Sequence, residues 1–156
     1  MKELSELEKE LTAIFDAHSI DAKKTNKLRI FAEVDDHILW HNILKEKFDA
    51  RLLIATGVDE RDSFVVHYHY DIKAMPRSLV VSLKKRASRI NPTLKSLTPI
   101  DNSANFSERE TSDYFGIEFE GHIQPEIMFL PDELKGEFPL RKEYKTGGEK
   151  CQLLSR

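Results

Sequence analysis

His37 and His41 stand four residues apart in a helical pattern, with Glu33 and Asp36 close by, a set that would begin a metal site. The run reads His37-Ile38-Leu39-Trp40-His41, so it lacks the glutamate that would complete an HExxH motif, and a closed zinc site needs four ligands. The plainer reading is two surface or half-buried histidines flanking a core stripe. His67 and His69 share one face of a strand by the two-residue period, opposite Tyr68 and Tyr70. They are either an active pair or the polar outer face of an antiparallel sheet. Either pair would serve a stand-alone His-dependent hydrolase or metal enzyme. Cys151 is the one cysteine, which excludes an internal disulfide and a multi-cysteine cluster site within the chain. No glycine-rich phosphate loop or GxSxG elbow is present.

A third group is denser. Ser107-Glu108-Arg109-Glu110 fits a capping box, which predicts a helix starting near Ser107. Arg109 and Asp113 then lie on one face at pairing distance, and Gly116 is placed to close the helix in a left-handed conformation. Three acids and an arginine on under three turns are more charge than one core can bury unpaired, so some of them must meet partners elsewhere.

The elements that would position these groups follow from periodicity. Leu4, Leu7, Leu11, Ile14 and Phe15 predict an amphipathic helix over 2–17. Residues 28–34 alternate as a strand, and Asp35-Asp36 offers an acceptor for the free amides of a helix over 36–48, whose Leu39, Trp40, Ile43, Leu44 and Phe48 form a core stripe. Strand-like runs at 51–56, 63–72 and 78–83 are separated by a Gly-Asp turn and by Pro76, and predict an antiparallel meander. The bases at 84–89 either extend the third strand or begin a short helix; a further run covers 94–100. The expectation is an α+β fold, a single domain over 1–144 with an antiparallel sheet packed by helices, followed by a mobile tail over 145–156.

Composition narrows the function classes. With 156 residues, 40% of them apolar, the chain is an ordinary globular size, and its short apolar runs cannot span a bilayer as a helix. Acids occupy the N-terminal stretch where a secretory signal would place its apolar core, so the expected location is the cytoplasm. The net charge of -3 conceals segregation: residues 72–100 hold seven bases and no acid, whereas 101–138 hold ten acids against Arg109 and Lys135. Such asymmetry points to a docking surface or to internal neutralisation. The basic stretch contains no Phe, Tyr or Trp, which argues against single-strand nucleic acid binding.

Residues 108–122 read Glu-Arg-Glu-Thr-Ser-Asp-Tyr-Phe-Gly-Ile-Glu-Phe-Glu-Gly-His, and Pro139-Leu140-Arg141-Lys142 follows. In order and spacing these resemble the ERE-x-x-D-x-x-G-I-x-F-x-G-H and P-L-R-K motifs of the 30-kilodalton subunit of respiratory complex I, an NADH-quinone oxidoreductase. That family includes the matching subunit of energy-converting nickel-iron hydrogenases and formate hydrogenlyase. The resemblance runs loosely over residues 39–144; it departs at Ile123-Gln124-Pro125 and at Glu126-Ile127-Met128. It implies an α+β domain that binds no cofactor itself and acts as a non-catalytic docking subunit of a membrane-associated oxidoreductase, peripheral to the cytoplasmic face. Its implied partners are a large catalytic subunit, of the 49-kilodalton or hydrogenase type, and a small iron-sulfur subunit; iron-sulfur clusters, quinone or a nickel-iron centre would sit on those partners. It further implies Glu108, Arg109, Glu110, Asp113, His122, Arg141 and Lys142 as partner-binding, and Phe115, Gly116, Ile117, Phe119, Gly121, Pro139 and Leu140 as the structural motif.

Overall fold

Leu7, Leu11 and Phe15 recur at four-residue steps, so one stripe of a helix buries all three. The computed structural model, which describes residues 2–26 and 28–144, forms that helix as α1 (Leu4–Ala17). A second helix, α2 (His37–Phe48), starts where Asp36 accepts from the amides of Ile38 and Leu39, both at 3.0 Å. It ends at Asp49, whose φ of 49° is left-handed. Phe15 stacks on Trp40 with ring centroids 4.6 Å apart, joining the two apolar stripes.

Strands β1 (Ala22–Asn26), β2 (Arg29–Glu33), β3 (Arg51–Asp59), β4 (Ser63–Ile72) and β5 (Leu79–Ser88) form one sheet in the order β1-β2-β5-β4-β3. The short links from β3 to β4 and from β4 to β5 leave room only for antiparallel neighbours, as the meander predicts. β2 differs: it runs parallel to β5, from Arg29 opposite Val80 to Glu33 opposite Lys84. The sheet is therefore mixed within the expected α+β class. The bases at 84–88 extend β5 because acceptors wait on and after β2: Arg86 bonds Glu33 at 2.5 Å, Lys84 lies 3.6 Å from the same carboxylate, and Lys85 donates to the Asp35 carbonyl at 2.6 Å. Part of the positive stretch is thus neutralised locally.

Both histidine pairs pack against neighbouring rings and hydroxyls. His37 and His41 are buried at 3% and 1% exposure, which corrects the expectation of surface or half-buried rings. The helix turns them onto the tyrosine face of β4, where His37 stacks on Tyr68 at 5.0 Å and His41 Nδ1 lies 3.0 Å from the Tyr70 hydroxyl. On the other face His69 sits between the Thr56 and Ser82 hydroxyls, at 3.2 and 2.8 Å, with His67 stacked beside it.

The chain divides into two compact units: residues 1–56 with 66–86, and residues 57–65 with the chain from Ala87 on. The second contains β6 (Thr93–Lys95), α3 (Asn105–Phe115) and β7 (Glu118–Glu120), with β6 and β7 paired parallel. Leu94, Leu97, Ala104, Ile117 and Phe119 form its core. The strand-like run at 94–100 stops at Lys95 because Leu97 turns the chain, its carbonyl accepting from the amides of Ile100 and Asp101. Cys151 and the tail over 145–156 lie outside the described residues.

Candidate functional site

The charged motif lies on α3, and the helix starts three residues earlier than a Ser107 cap predicts. Asp101 is the reason. Its carboxylate accepts from the Ser103 amide and hydroxyl at 3.0 and 2.6 Å and starts a short 3₁₀ turn that runs into α3. Ser107 therefore sits inside the helix, where its hydroxyl donates to the Ala104 carbonyl, and the capping box is not formed. The predicted Arg109–Asp113 pair is not formed either. Arg109 Nε donates to the Glu126 carbonyl at 3.0 Å, while Asp113 Oδ2 accepts from the amides of Met128 and Phe129 at 2.9 and 2.7 Å. Both side chains fasten the irregular segment that follows β7.

Glu108 has no exposed surface. Oε1 accepts from the Leu97 amide at 2.9 Å and Oε2 from the Ser96 hydroxyl at 2.5 Å. Burial pushes its carboxyl up to about 7 even though both hydrogen bonds favour the ionised form. His122 Nε2 lies 3.8 Å from Oε2 but is held by the Asn105 carbonyl at 3.3 Å, and its Nδ1 accepts from the Gln124 amide at 3.0 Å. These partners fix the neutral ring with its proton on Nε2. Burial, reinforced by the Arg109 charge, holds His122 below the usual imidazole range. The two shifts run in opposite directions, each toward the uncharged form, so the pair is not an ion pair near neutrality.

At the far end of α3, Gly116 adopts φ 68°, and a Cβ there would meet Arg141 and Phe138 at 2.6–2.7 Å. Gly116→Ala is expected to cost about 2 kcal/mol or more, since the left-handed conformation alone costs roughly 1–2 kcal/mol for an L-residue. Urea titration checks it. Arg141 caps the same helix end: Nε donates to the Phe115 carbonyl at 2.7 Å, and the guanidinium lies over Phe138 and Phe64 at 4.3 and 4.8 Å. The Lys142 amide donates to Asp59 at 2.9 Å. The second motif is thus fastened within the chain.

Of the expected partner-binding residues, Glu108, Asp113, Arg141 and His122 make their bonds inside this unit, Arg109 and Glu110 are half-buried, and the Lys142 side chain faces solvent. Phe115, Ile117 and Phe119 are core, as the structural motif implies. Gly121 is exposed at φ 79°, and Pro139 and Leu140 form the turn before Arg141. A cavity of about 510 Å³ opens beside α3 and β7, lined by Ile117, Phe119, Ile127, Leu130 and Phe138 together with the Arg109 and His122 side of the motif.

Residues outside the motif matter as much. Asp59 is 4% exposed and accepts from Arg89 through both oxygens, at 2.7 and 3.2 Å, and from the amides of Arg61 and Lys142. Burial alone would raise it, but these bonds prevail and hold it at about 2. Sequence reading marks it only as a turn residue. Large apolar side chains also remain in water around the motif: Phe106 is 64% exposed, Ile123 52% and Leu140 54%, with Ile127, Met128 and Phe129 less so. His122 and Gln124 both bond Asn105, which sets Ile123 next to the start of α3 that carries Phe106.

The family model for the respiratory-chain NADH dehydrogenase, 30 Kd subunit, matches residues 30–150. The chain is 38% identical over 101 residues to a subunit of the F(420)H(2) dehydrogenase of Methanosarcina mazei, covering 64% of this chain and 62% of that one. It is 33% identical over 110 residues to a subunit of the NADH-quinone oxidoreductase of Moorella thermoacetica, covering 68% and 74%. It thus spans about three fifths of the length of the first relative. Its fold matches a chain in the structure of a membrane-bound sulfane sulfur reductase, an archaeal respiratory membrane complex, with a TM-score of 0.79 at 22% identity over 90% of this chain and 86% of that one. With a family model matched over most of its length and a relative covered across two thirds, the chain belongs to the respiratory-chain NADH dehydrogenase 30 Kd subunit family.

Proposed function

We propose that this chain is a non-catalytic docking subunit of a multisubunit, membrane-associated oxidoreductase of the NADH-quinone oxidoreductase type. It packs against the large catalytic subunit, and the small iron-sulfur subunit adjoins it. The carrying observation is that the buried motif carboxylates hold an irregular segment so that its apolar side chains face water. Asp113 fixes the amides of Met128 and Phe129, Arg109 holds the Glu126 carbonyl, and Ile123 and Phe106 project beside them. An ordered apolar surface of this kind is a recognition surface. The same unit also carries exposed acids at Glu118, Glu120, Glu126, Asp132, Glu133 and Glu137, which suits a partner that brings basic groups with its apolar ones.

On this reading the chain binds no cofactor, and iron-sulfur clusters, quinone or a nickel-iron centre belong to its partners. Among the described residues no helix is long and apolar enough to cross a membrane. Attachment at the cytoplasmic face would then come through the complex. Charging the surface tests the reading: Phe106→Asp with Ile123→Asp should lower the yield of co-purifying subunits by about tenfold or more, on the scale of a hot-spot loss. Melting of the isolated chain should not change, since both residues are exposed. Undiminished co-purification would refute the assignment of this face. The partner also settles the parent complex, because nickel-ligating cysteines in the large subunit would select the hydrogenase over the quinone reductase.

A further inference from the structure

Glu108 stands at the end of a chain of hydrogen bonds whose direction is set by its charge. The Ile123 amide donates to Thr98 Oγ1 at 3.0 Å, the Ser96 and Thr98 hydroxyls are 2.8 Å apart, and Ser96 Oγ lies 2.5 Å from Glu108 Oε2. Ser96 Oγ also accepts from the Thr98 amide at 3.0 Å. A carboxylate only accepts, so with Glu108 ionised the Ser96 hydroxyl donates to it and the Thr98 hydroxyl donates to Ser96. Every donor then has an acceptor. With Glu108 protonated the same atoms hold one more proton than there are contacts between them. If the carboxyl donates to Ser96, Ser96 must turn its proton to Thr98, and the Thr98 hydroxyl proton is left without a partner at 4% exposure. Oγ1 of Thr98 then accepts from both Ser96 and the Ile123 amide, and turning the Thr98 side chain about Cα–Cβ to find an acceptor for the stranded proton takes Oγ1 off the Ile123 amide.

We propose that Glu108, Ser96 and Thr98 form a proton-sensitive latch on the loop from His122 to Gln124, closed on the Ile123 amide when Glu108 is ionised and loosened when it is protonated. This inference concerns the chain by itself and does not depend on the docking reading. The groups around Glu108 leave it as the switching member. Among the described residues His122 is the basic group within 4 Å, and it is fixed as the neutral ring by Asn105 and Gln124. On α3, Arg109 is engaged with the Glu126 carbonyl, Glu110 is half-buried and Asp113 accepts two amides. Lys95 of β6 and Glu118 and Glu120 of β7 face solvent, and Asp101 caps the 3₁₀ turn. Because burial brings Glu108 to about 7, the latch switches near neutrality.

The test is an NMR titration of the isolated chain from pH 5 to 9, following the Glu108 side-chain carboxyl carbon and the Ile123 amide proton. Both are expected to move with one midpoint, the amide shifting upfield on acidification as its hydrogen bond weakens. In Thr98→Val the Glu108 carbon should still titrate while the Ile123 amide stays flat, and Thr98→Ser should keep the coupling. If Thr98→Val fails to fold, Ser96→Ala breaks the chain one link earlier and should give the same flat amide. Glu108→Gln should abolish the Ile123 titration. A flat Ile123 amide in the unaltered chain, or a titration that survives Glu108→Gln and so belongs to His122, would overturn the latch.

Discussion

Asp59→Ala is expected to lower the unfolding free energy by about 3 kcal/mol or more, the scale for removing one partner of a buried ion pair. The carboxylate is nearly sealed and accepts four bonds, from the two Arg89 nitrogens and the amides of Arg61 and Lys142. Without it Arg89, whose side chain is only 28% exposed, keeps among the described residues only Glu143 as a carboxylate partner, and two amides lose their acceptor. The same residue gives an acid signature. A carboxyl held at about 2 against an ordinary 3.8 contributes stability that is complete above pH 3.8 and lost as pH falls toward 2, worth about 2 kcal/mol. Because the Asp59 side chain is 2% exposed, solvent screening of its bond to Arg89 is weak. Urea titrations of both proteins between pH 2 and 5 check this, and a loss under about 1 kcal/mol at neutral pH would show that Asp59 is not the anchor described.

Glu108→Gln should act in the opposite sense at the other end of the pH scale. Its folded-state carboxyl titrates at about 7 against an ordinary 4.5, so the folded chain binds more protons between those values. Stability from this group is therefore complete below pH 4.5, declines as pH rises, and is lost above about 7, a change of roughly 3 kcal/mol. Glutamine keeps an acceptor for the Leu97 amide and offers a donor to Ser96, while carrying no charge. The variant should therefore lose the decline, and at pH 8 it should be the more stable protein by about 2–3 kcal/mol. Parallel pH profiles for variant and unaltered chain would contradict the assignment of the decline to Glu108.

Much of the local structure is legible in the residues. Asp36 announces α2 because its side chain needs only the next two or three amides, and Gly116 announces the end of α3 because its left-handed conformation is a property of one residue. What escapes is what depends on distant chain. The capping box at Ser107 is a sound local pattern, yet Asp101 starts the turn first. Arg109 and Asp113 are spaced to pair, yet backbone groups 15 to 17 residues away take both. β7, three residues long, exists because β6 pairs with it, and the parallel register of β2 on β5 has no signature in either strand. Asp59 meets Lys142 across 83 residues, so only the fold shows that the turn and the second motif share an anchor. The family motif is legible as a pattern, but its carboxylates work chiefly inward, holding the segment that carries the exposed apolar side chains.

The docking role is tested most directly by the size at which the chain migrates in a gently solubilised membrane extract of its native host, resolved on a native gel and identified by mass spectrometry. One band far larger than the chain is expected, shared with a large catalytic subunit and an iron-sulfur subunit, and dispersed by Phe106→Asp with Ile123→Asp. A chain that migrates alone, at its own mass, with no co-migrating redox subunit, would contradict it.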